Sequence, residues 1–518
     1  MYNAATECKM QVAANAACAG TVFVVESPVT HYDLIIVGAG SGNMLVTAEM
    51  DDWRVAIVER DLFGGTCLNR GCIPSKMFIY AADVADSTRH LPKYGLRMEP
   101  SGAHPVADWP AIVARVFGRI DPIAEGGENY RKSLPNVDVY SGDGRFVGHK
   151  TMEVDGTRFT GERIVLAAGA HAFIPDVPGL VGPDAVPFHT SDTIMRIEAL
   201  PKRLVIIGGG FIAVELGHVF EALGVHVTIV NRGPVLLGAE DHDISARFTE
   251  VVADRFNLVM GSRVDRARRT STGIAIDVTT AAGPKTVEGD MLLVAAGRTP
   301  NGAQLGVTET GVALDDKGRV VVDETNQTAV PDIWALGDIV GRHQLKHMAN
   351  LEAKLVAHNI TNPGDIRSLD QRAAPHAVFA SPQIGAVGPT ERELRAAGVE
   401  YASVTHEYAG AAYGWAMEDT TSFVKLLGDP HTRTLLGAHI IGPQASLLVQ
   451  MLVQGLHLGN TVDQLATGQI YIHPALSEVV EVALLKLCDA FDDHLRSNDG
   501  GTDQYHLAEF HIAMDEHV

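Results

Sequence analysis

Asp33-Leu-Ile-Ile-Val37-Gly38-Ala-Gly40-Ser-Gly42-Asn43 decides how the chain is read. The apolar run predicts a buried parallel strand, and the glycine turn lets backbone N–H groups at a following helix start approach a pyrophosphate. Val55 to Val58 predicts the next strand, ending at Glu59, where a carboxylate accepts the hydroxyls of an adenosine ribose. Position 43 is Asn instead of the third glycine of the pattern, so helix–strand packing there must tolerate a side chain. The order strand, glycine turn, helix, strand recurs with Leu204 to Ile207, Gly208-Gly-Gly210-Phe-Ile212-Ala213 and Val225 to Val230, followed by Asn231-Arg232. Two such units imply two bound dinucleotides.

Each unit is followed by a short strand ending in Ala-Ala-Gly, Ile164 to Gly169 and Leu292 to Gly297, read as returning sheet edges. Ile333-Trp-Ala-Leu-Gly-Asp338 reads as a further nucleotide contact, with Asp338 holding the ribityl chain of the first dinucleotide. From about Ala374 the texture changes. Strand-like runs at Ala377 to Phe379, Phe423 to Leu427 and Leu435 to Ile440 precede helical periodicity over Ser446 to Leu458 and Ala475 to Leu487.

A chain of 518 residues needs several cores, and its 20% charged content fits a globular protein. The net charge of −22 disfavours nucleic acid and anionic membrane as partners. Five cysteines are too few and too unevenly spaced for a secreted disulfide scaffold, which favours a reducing cytoplasm. Gln11 to Val25 lacks the positive flank of a signal peptide and is too short to span a bilayer; residues 1–30, with Cys8 and Cys18, are read as a disordered extension without a role. Residues 489–518 hold eight acids against one Arg and are read as a disordered, solvated tail. Its histidines, His494, His506, His511 and His517, lack ligand spacing, and no metal is expected.

Gly64-Gly65-Thr66-Cys67-Leu-Asn-Arg-Gly71-Cys72-Ile-Pro-Ser-Lys76 carries the chemistry. Two cysteines at this spacing near a helix start suit a small redox-active ring, and Lys76 would favour thiolates. Buried unpaired cysteines are the bland alternative; a metal site would need further ligands nearby.

In order along the chain, the Gly-x-Gly turn with Glu59, Cys67-x4-Cys72 with Lys76, Gly208-x-Gly-x-x-Ala213-x-Glu215, Ala-Leu-Gly-Asp338, and His473-Pro474 with Glu478 resemble the pyridine nucleotide–disulfide oxidoreductases, from about Tyr32 to about Cys488. The resemblance implies an α/β fold: two Rossmann-like domains, for FAD (31–190 and 300–370) and NADPH (191–299), and an α+β dimerisation domain (371–488). It implies a homodimeric enzyme in which Cys67 exchanges with substrate, Cys72 lies beside the flavin, Lys76 pairs with Glu215, and His473, held by Glu478, moves the proton from the other subunit. The cofactor contacts implied are Gly38, Gly40, Ser41, Glu59, Gly65, Thr66, Gly144 and Asp338, with Gly208, Gly210, Ile212, Arg232 and Gly297. Within the family, Lys76 to Ala82, Phe117 to Ile123, Leu345-Lys-His-Met-Ala-Asn350 and Tyr413 to Asp419 resemble the branch that reduces the disulfide of mycothiol. A dihydrolipoamide dehydrogenase, which would want an acid where Asn231 and Arg232 stand, or another disulfide or mercuric reductase of the family is the alternative; a catalytically silent flavoprotein that acts as a binding partner is a further one.

Overall fold

The computed structural model describes residues 29–99 and 105–498; the expectations for residues 1–28, including Cys8 and Cys18, and for 499–518, including His506, His511 and His517, lie outside them. The first sheet is built on β1 (Thr30–Val37), paired in parallel with β2 (Val55–Glu59), which pairs with β3 (Val137–Ser141). From Leu34 to Val37 β1 is apolar and buried because both faces are covered there. Leu34 and Ile36 pack with Ala353, Val356 and Ile360, whereas Ile35 and Val37 pack with Phe146, Phe159 and Val307.

The antiparallel strands β4 (Gly144–Gly148), β5 (Thr151–Val154) and β6 (Thr157–Leu166) complete this sheet, and β6 returns in parallel beside β1. The edge expected at Ile164 to Gly169 is therefore interior. β6 is long enough to share its far side between β5 and the strand Ile333–Ala335, which brings the Asp338 turn to the ends of β1 and β6.

The helix expected after the first glycine turn is replaced by two 3-10 turns, Gly42–Met44 and Ala48–Met50. Arg131 explains part of this: it donates to the Asn43 carbonyl at 2.5 Å, an acceptor that a helix would use four residues on, and to Asn43 Oδ1 at 2.7 Å. Thr47 then takes extended backbone, φ −116° and ψ 169°. Close packing falls to Gly42, where a Cβ would lie 2.8 Å from Ala167 Cβ and 2.9 Å from Ile36 Cγ2.

The second unit follows the expected order. Arg203–Ile207 pairs in parallel with His226–Val230 and with Met291–Val294, the latter at the sheet edge, and a long helix starts at Phe211 directly after the turn. Its Gly208 has φ +125° and leaves no room for a Cβ, which would sit 2.2 Å from Ala295 O. A five-stranded antiparallel sheet, Pro375–Val378, Ile384–Val387, Thr434–Ile441, Phe423–Asp429 and Ala402–Glu407 in spatial order, forms the C-terminal part, covered by Ala445–Leu458 and Ser477–Asn498.

The last helix corrects the tail boundary, since residues 489–498 are helical. Val480, Leu484, Leu487 and Phe491 continue one buried stripe at helical spacing. Arg433 bonds Asp463 and Asp492 at 2.6 Å each, and Glu400 pairs with both His431 and His494 at 2.9 Å. Composition alone hid this stripe behind the surrounding acids.

Lys425 locks the second unit to the C-terminal part. Its buried ammonium meets Asp241 at 2.8 Å, Asp243 at 2.6 Å and Glu391 at 2.7 Å. Burial alone would raise the Asp241 carboxyl; the bonds from Lys425 and the Glu391 N–H outweigh it and hold that carboxyl below its usual range. Because this folded-state value is lowered, the clamp's contribution is present above about pH 4 and is lost as pH falls further. Lys425→Ala leaves the fully buried Asp241 without its cation and is expected to destabilise the fold by about 3 kcal/mol near neutral pH, measured by urea unfolding. A second change, Asp241→Asn, should recover part of that loss.

Candidate redox active site

One cavity of about 440 Å³ runs from the ends of β1 and β2 to the two cysteines. Its glycines matter because backbone, not side chain, forms the wall. Gly65 has φ +62°, and a Cβ there would lie 2.7 Å from Gly40 Cα; at Gly38, φ +106°, a Cβ would lie 2.4 Å from Ala167 O. Glu59 stands at one end, accepting the Ala39 N–H at 2.8 Å and the Asp61 N–H at 3.0 Å, with burial pushing its carboxyl above the usual range. Asp338 lies 3.7 Å from Arg298, whose buried Nε has no hydrogen-bond partner among the described residues. A narrow groove with glycine walls, a carboxylate for a ribose and an unsatisfied guanidinium N–H fits a dinucleotide such as FAD.

Cys67 lies on α1 (Gly65–Asn69) and Cys72 begins α2 (Cys72–Ser87). Both are free thiols, and the Cys67 S–H bonds to Cys72. That bond, helped by the Lys76 ammonium against the effect of burial, lowers the Cys72 thiol to about 7. The same bond and burial push Cys67 well up. Lys76 donates to Glu215 Oε1 at 2.9 Å and Oε2 at 2.7 Å, and the Phe379 N–H donates to Glu215 Oε1 at 3.0 Å.

Thirteen of the residues nominated from sequence line this cavity: Gly38, Gly40, Ser41, Glu59, Gly65, Thr66, Cys67, Cys72, Lys76, Gly144, Ile212, Glu215 and Asp338. Gly208, Gly210, Arg232 and Gly297 stand apart, at the turns and strand ends of the second unit. His473 and Glu478 also lie outside it; they form their own pair, Nδ1 to Oε1 at 2.7 Å, with the imidazole largely exposed. Sequence reading missed Arg298 and the role of Lys346, which begins α6 (Lys346–Thr361) and faces the cavity. Its signal was a lysine at a helix start, where the dipole disfavours a cation.

The family model for pyridine nucleotide-disulphide oxidoreductases matches residues 32–353, and the model for their dimerisation domain matches residues 374–484. The chain belongs to this family. It is 45% identical over 466 residues to the mycothione reductase of Mycobacterium tuberculosis, covering 88% of this chain and 99% of that one. It is 30% identical to a dihydrolipoyl dehydrogenase of Chlamydia pneumoniae, covering 88% and 97%. Among solved structures, the HOCl-induced flavoprotein disulfide reductase RclA of Escherichia coli superposes with a TM-score of 0.74 at 27% identity, covering 88% and 99%. This oxidoreductase therefore has the two-unit α/β architecture with a C-terminal dimerisation domain. No helix among the described residues is long and apolar enough to cross a membrane.

In dithiol-reduced protein, one thiolate should appear as pH rises through about 7, from Cys72, and the second only at clearly higher pH. Lys76→Met removes a cation and is expected to move the first midpoint up by about one unit. Ultraviolet thiolate absorbance measures both.

Proposed function

We propose that this chain is an NADPH-dependent flavoprotein reductase of the mycothiol disulfide, acting as a homodimer in a reducing cytoplasm. The observation that carries this reading is the Cys67/Cys72 thiol pair beside Lys76 and Glu215, in a chain akin along almost its whole described length to a mycothione reductase. Residues 31–190 with 300–370 would hold FAD, 191–299 NADPH, and 371–488 the subunit interface.

Bound FAD would supply two-electron relay from NADPH to the Cys67–Cys72 disulfide. The chain's own residues do the rest. The Cys67 thiolate attacks one sulfur of the substrate, forming a mixed disulfide as the substrate S–S bond breaks, and the departing thiolate takes a proton from the partner subunit's His473. The Cys72 thiolate then attacks the Cys67 sulfur, which re-forms the internal disulfide and expels the second half of the substrate as a thiolate that takes its proton from water.

Exposure supports a shared site. His473 is outside the cavity, and its neighbours Ile470 and Ile472 are 98% and 73% exposed, an apolar pair that a second subunit would cover. Ile73, Tyr80 and Val84 leave a matching exposed apolar stripe on α2. For the nucleotide, the Asn231 amide is tied to Gly233 O and Val235 O, whereas Arg232 is exposed without an ion pair among the described residues. A free guanidinium at this strand end suits the 2′-phosphate of NADPH.

With NADPH as reductant, catalytic efficiency should be at least about a hundredfold higher for mycothiol disulfide than for glutathione disulfide, lipoamide or Hg(II). Comparable efficiency with glutathione disulfide would overturn the substrate reading. Separately, mixing inactive Cys67→Ser and His473→Ala subunits is expected to restore about a quarter of the sites after random exchange, because half the dimers then hold one intact composite site. Steady-state turnover against mixing ratio checks this, and no recovery after proven exchange would place each histidine with its own cysteines.

A further inference from the structure

Lys346 occupies the first turn of the sixteen-residue helix α6, where unpaired N–H groups and the dipole repel a cation. It lies on the cavity wall, and burial lowers its pKa. The nearby wall cations Arg70, Lys76 and Arg298 each have a carboxylate, in Asp61, Glu215 and Asp338. Lys346 has none within ion-pair distance among the described residues. Its ammonium instead donates to Ser41 Oγ at 2.9 Å, and that hydroxyl donates to Asn350 Oδ1, one helical turn further along α6, at 3.2 Å. Dipole, burial and the missing counter-ion all disfavour this position, so an anion facing it has to supply the compensation.

The cavity offers few candidates. Asp338 and Cys72 both feel the Lys346 ammonium, but each also has a cation of its own, Arg298 at 3.7 Å and Lys76. For Cys67, Lys346 is the cation that favours the thiolate. The turn that holds the ammonium through Ser41 touches the backbone that carries this cysteine: Gly40 Cα lies where a Cβ on Gly65 would collide, and Gly65 is two residues before Cys67 on α1. We propose that Lys346 is a positioning residue whose ammonium, fixed by Ser41, holds negative charge on Cys67 during disulfide exchange, while Lys76 serves Cys72. This rests on the proposed function only in naming Cys67 as the attacking thiol.

The charges acting on the two thiols agree with that division. Cys72 and burial raise Cys67, and Lys346 acts in the opposite sense; Lys76 lowers Cys72, while Glu215 raises it. In the resting dithiol the charge belongs to Cys72. Attack on a substrate requires it on Cys67, and a cation held at α6 narrows the gap between those two states.

Cys72→Ser isolates Cys67 from its coupled partner. Reduced, FAD-loaded Cys72→Ser protein is labelled with iodoacetamide across a pH range, and the Cys67 peptide is quantified by mass spectrometry. Adding Lys346→Met should raise the labelling midpoint by about one pH unit, a roughly tenfold slower reaction below it. Lys346→Arg should restore most of the shift, and Lys76→Met should move the Cys67 midpoint less than Lys346→Met does. An unchanged midpoint in Lys346→Met, equal midpoints in the Met and Arg variants, or an equal shift from Lys76→Met overturns the proposal. If Lys346→Met fails to retain flavin, Lys346→Gln carries the same comparisons. No disulfide substrate enters the measurement, so it is independent of whether mycothiol disulfide is the substrate.

Discussion

One buried carboxylate holds the redox site to the rest of the molecule. Glu215 belongs to the helix that follows the Gly208 turn of the second unit, yet it takes two bonds from Lys76 on α2 and one from the Phe379 N–H of the C-terminal part. Three regions distant in sequence therefore meet on its two oxygens. Burial alone would drive its proton back on, and the ammonium with the backbone N–H opposes that. Removing any one partner leaves the carboxylate short of compensation in a poorly solvated place, which is why α2, and Cys72 at its head, cannot shift independently of the second unit.

The same pair limits how much positive field reaches the sulfurs. Lys76 favours the Cys72 thiolate, but Glu215 stands behind it and acts in the opposite sense. The hydrogen bond from Cys67 is then the larger influence, so above about pH 7 the reduced pair is asymmetric, with one proton shared between its sulfurs. Such a pair resolves a mixed disulfide readily. Initiating one is harder, because the attacking sulfur is the one whose ionisation is pushed up.

What was legible in the sequence divides by the range of the forces involved. The strand cores and the Gly208 turn follow from local pattern: apolar runs buried on both faces, and a glycine where a Cβ would strike a carbonyl. The Lys76–Glu215 pair, 139 residues apart, is legible only through the family resemblance. The first unit's helix was misread because its competitor, Arg131, lies 88 residues away and takes the Asn43 carbonyl. The ten residues after Cys488 were misread because composition outweighed the stripe that ends at Phe491. Lys346 stood inside a segment noted only for its resemblance, since nothing local says that a helix start far along the chain will face Ser41 and Cys67.

That helix start is fixed by burial elsewhere. Ala353, Val356 and Ile360 of α6 pack on Leu34 and Ile36 of β1, so the helix cannot roll without exposing apolar surface on both elements. Between that core face and Lys346, Glu352 is buried, pushed up to about 7 by burial, and accepts the Gly337 N–H at 2.6 Å, which holds the turn carrying Asp338. Asn350 holds Ser41 from the same helix. One rigid element thus sets the spacing between the glycine turn after β1, the Asp338 turn and the ammonium near the thiols. A charge carried on a loop would lose most of its effect to reorientation and solvent; on α6 it stays where the packing of β1 puts it.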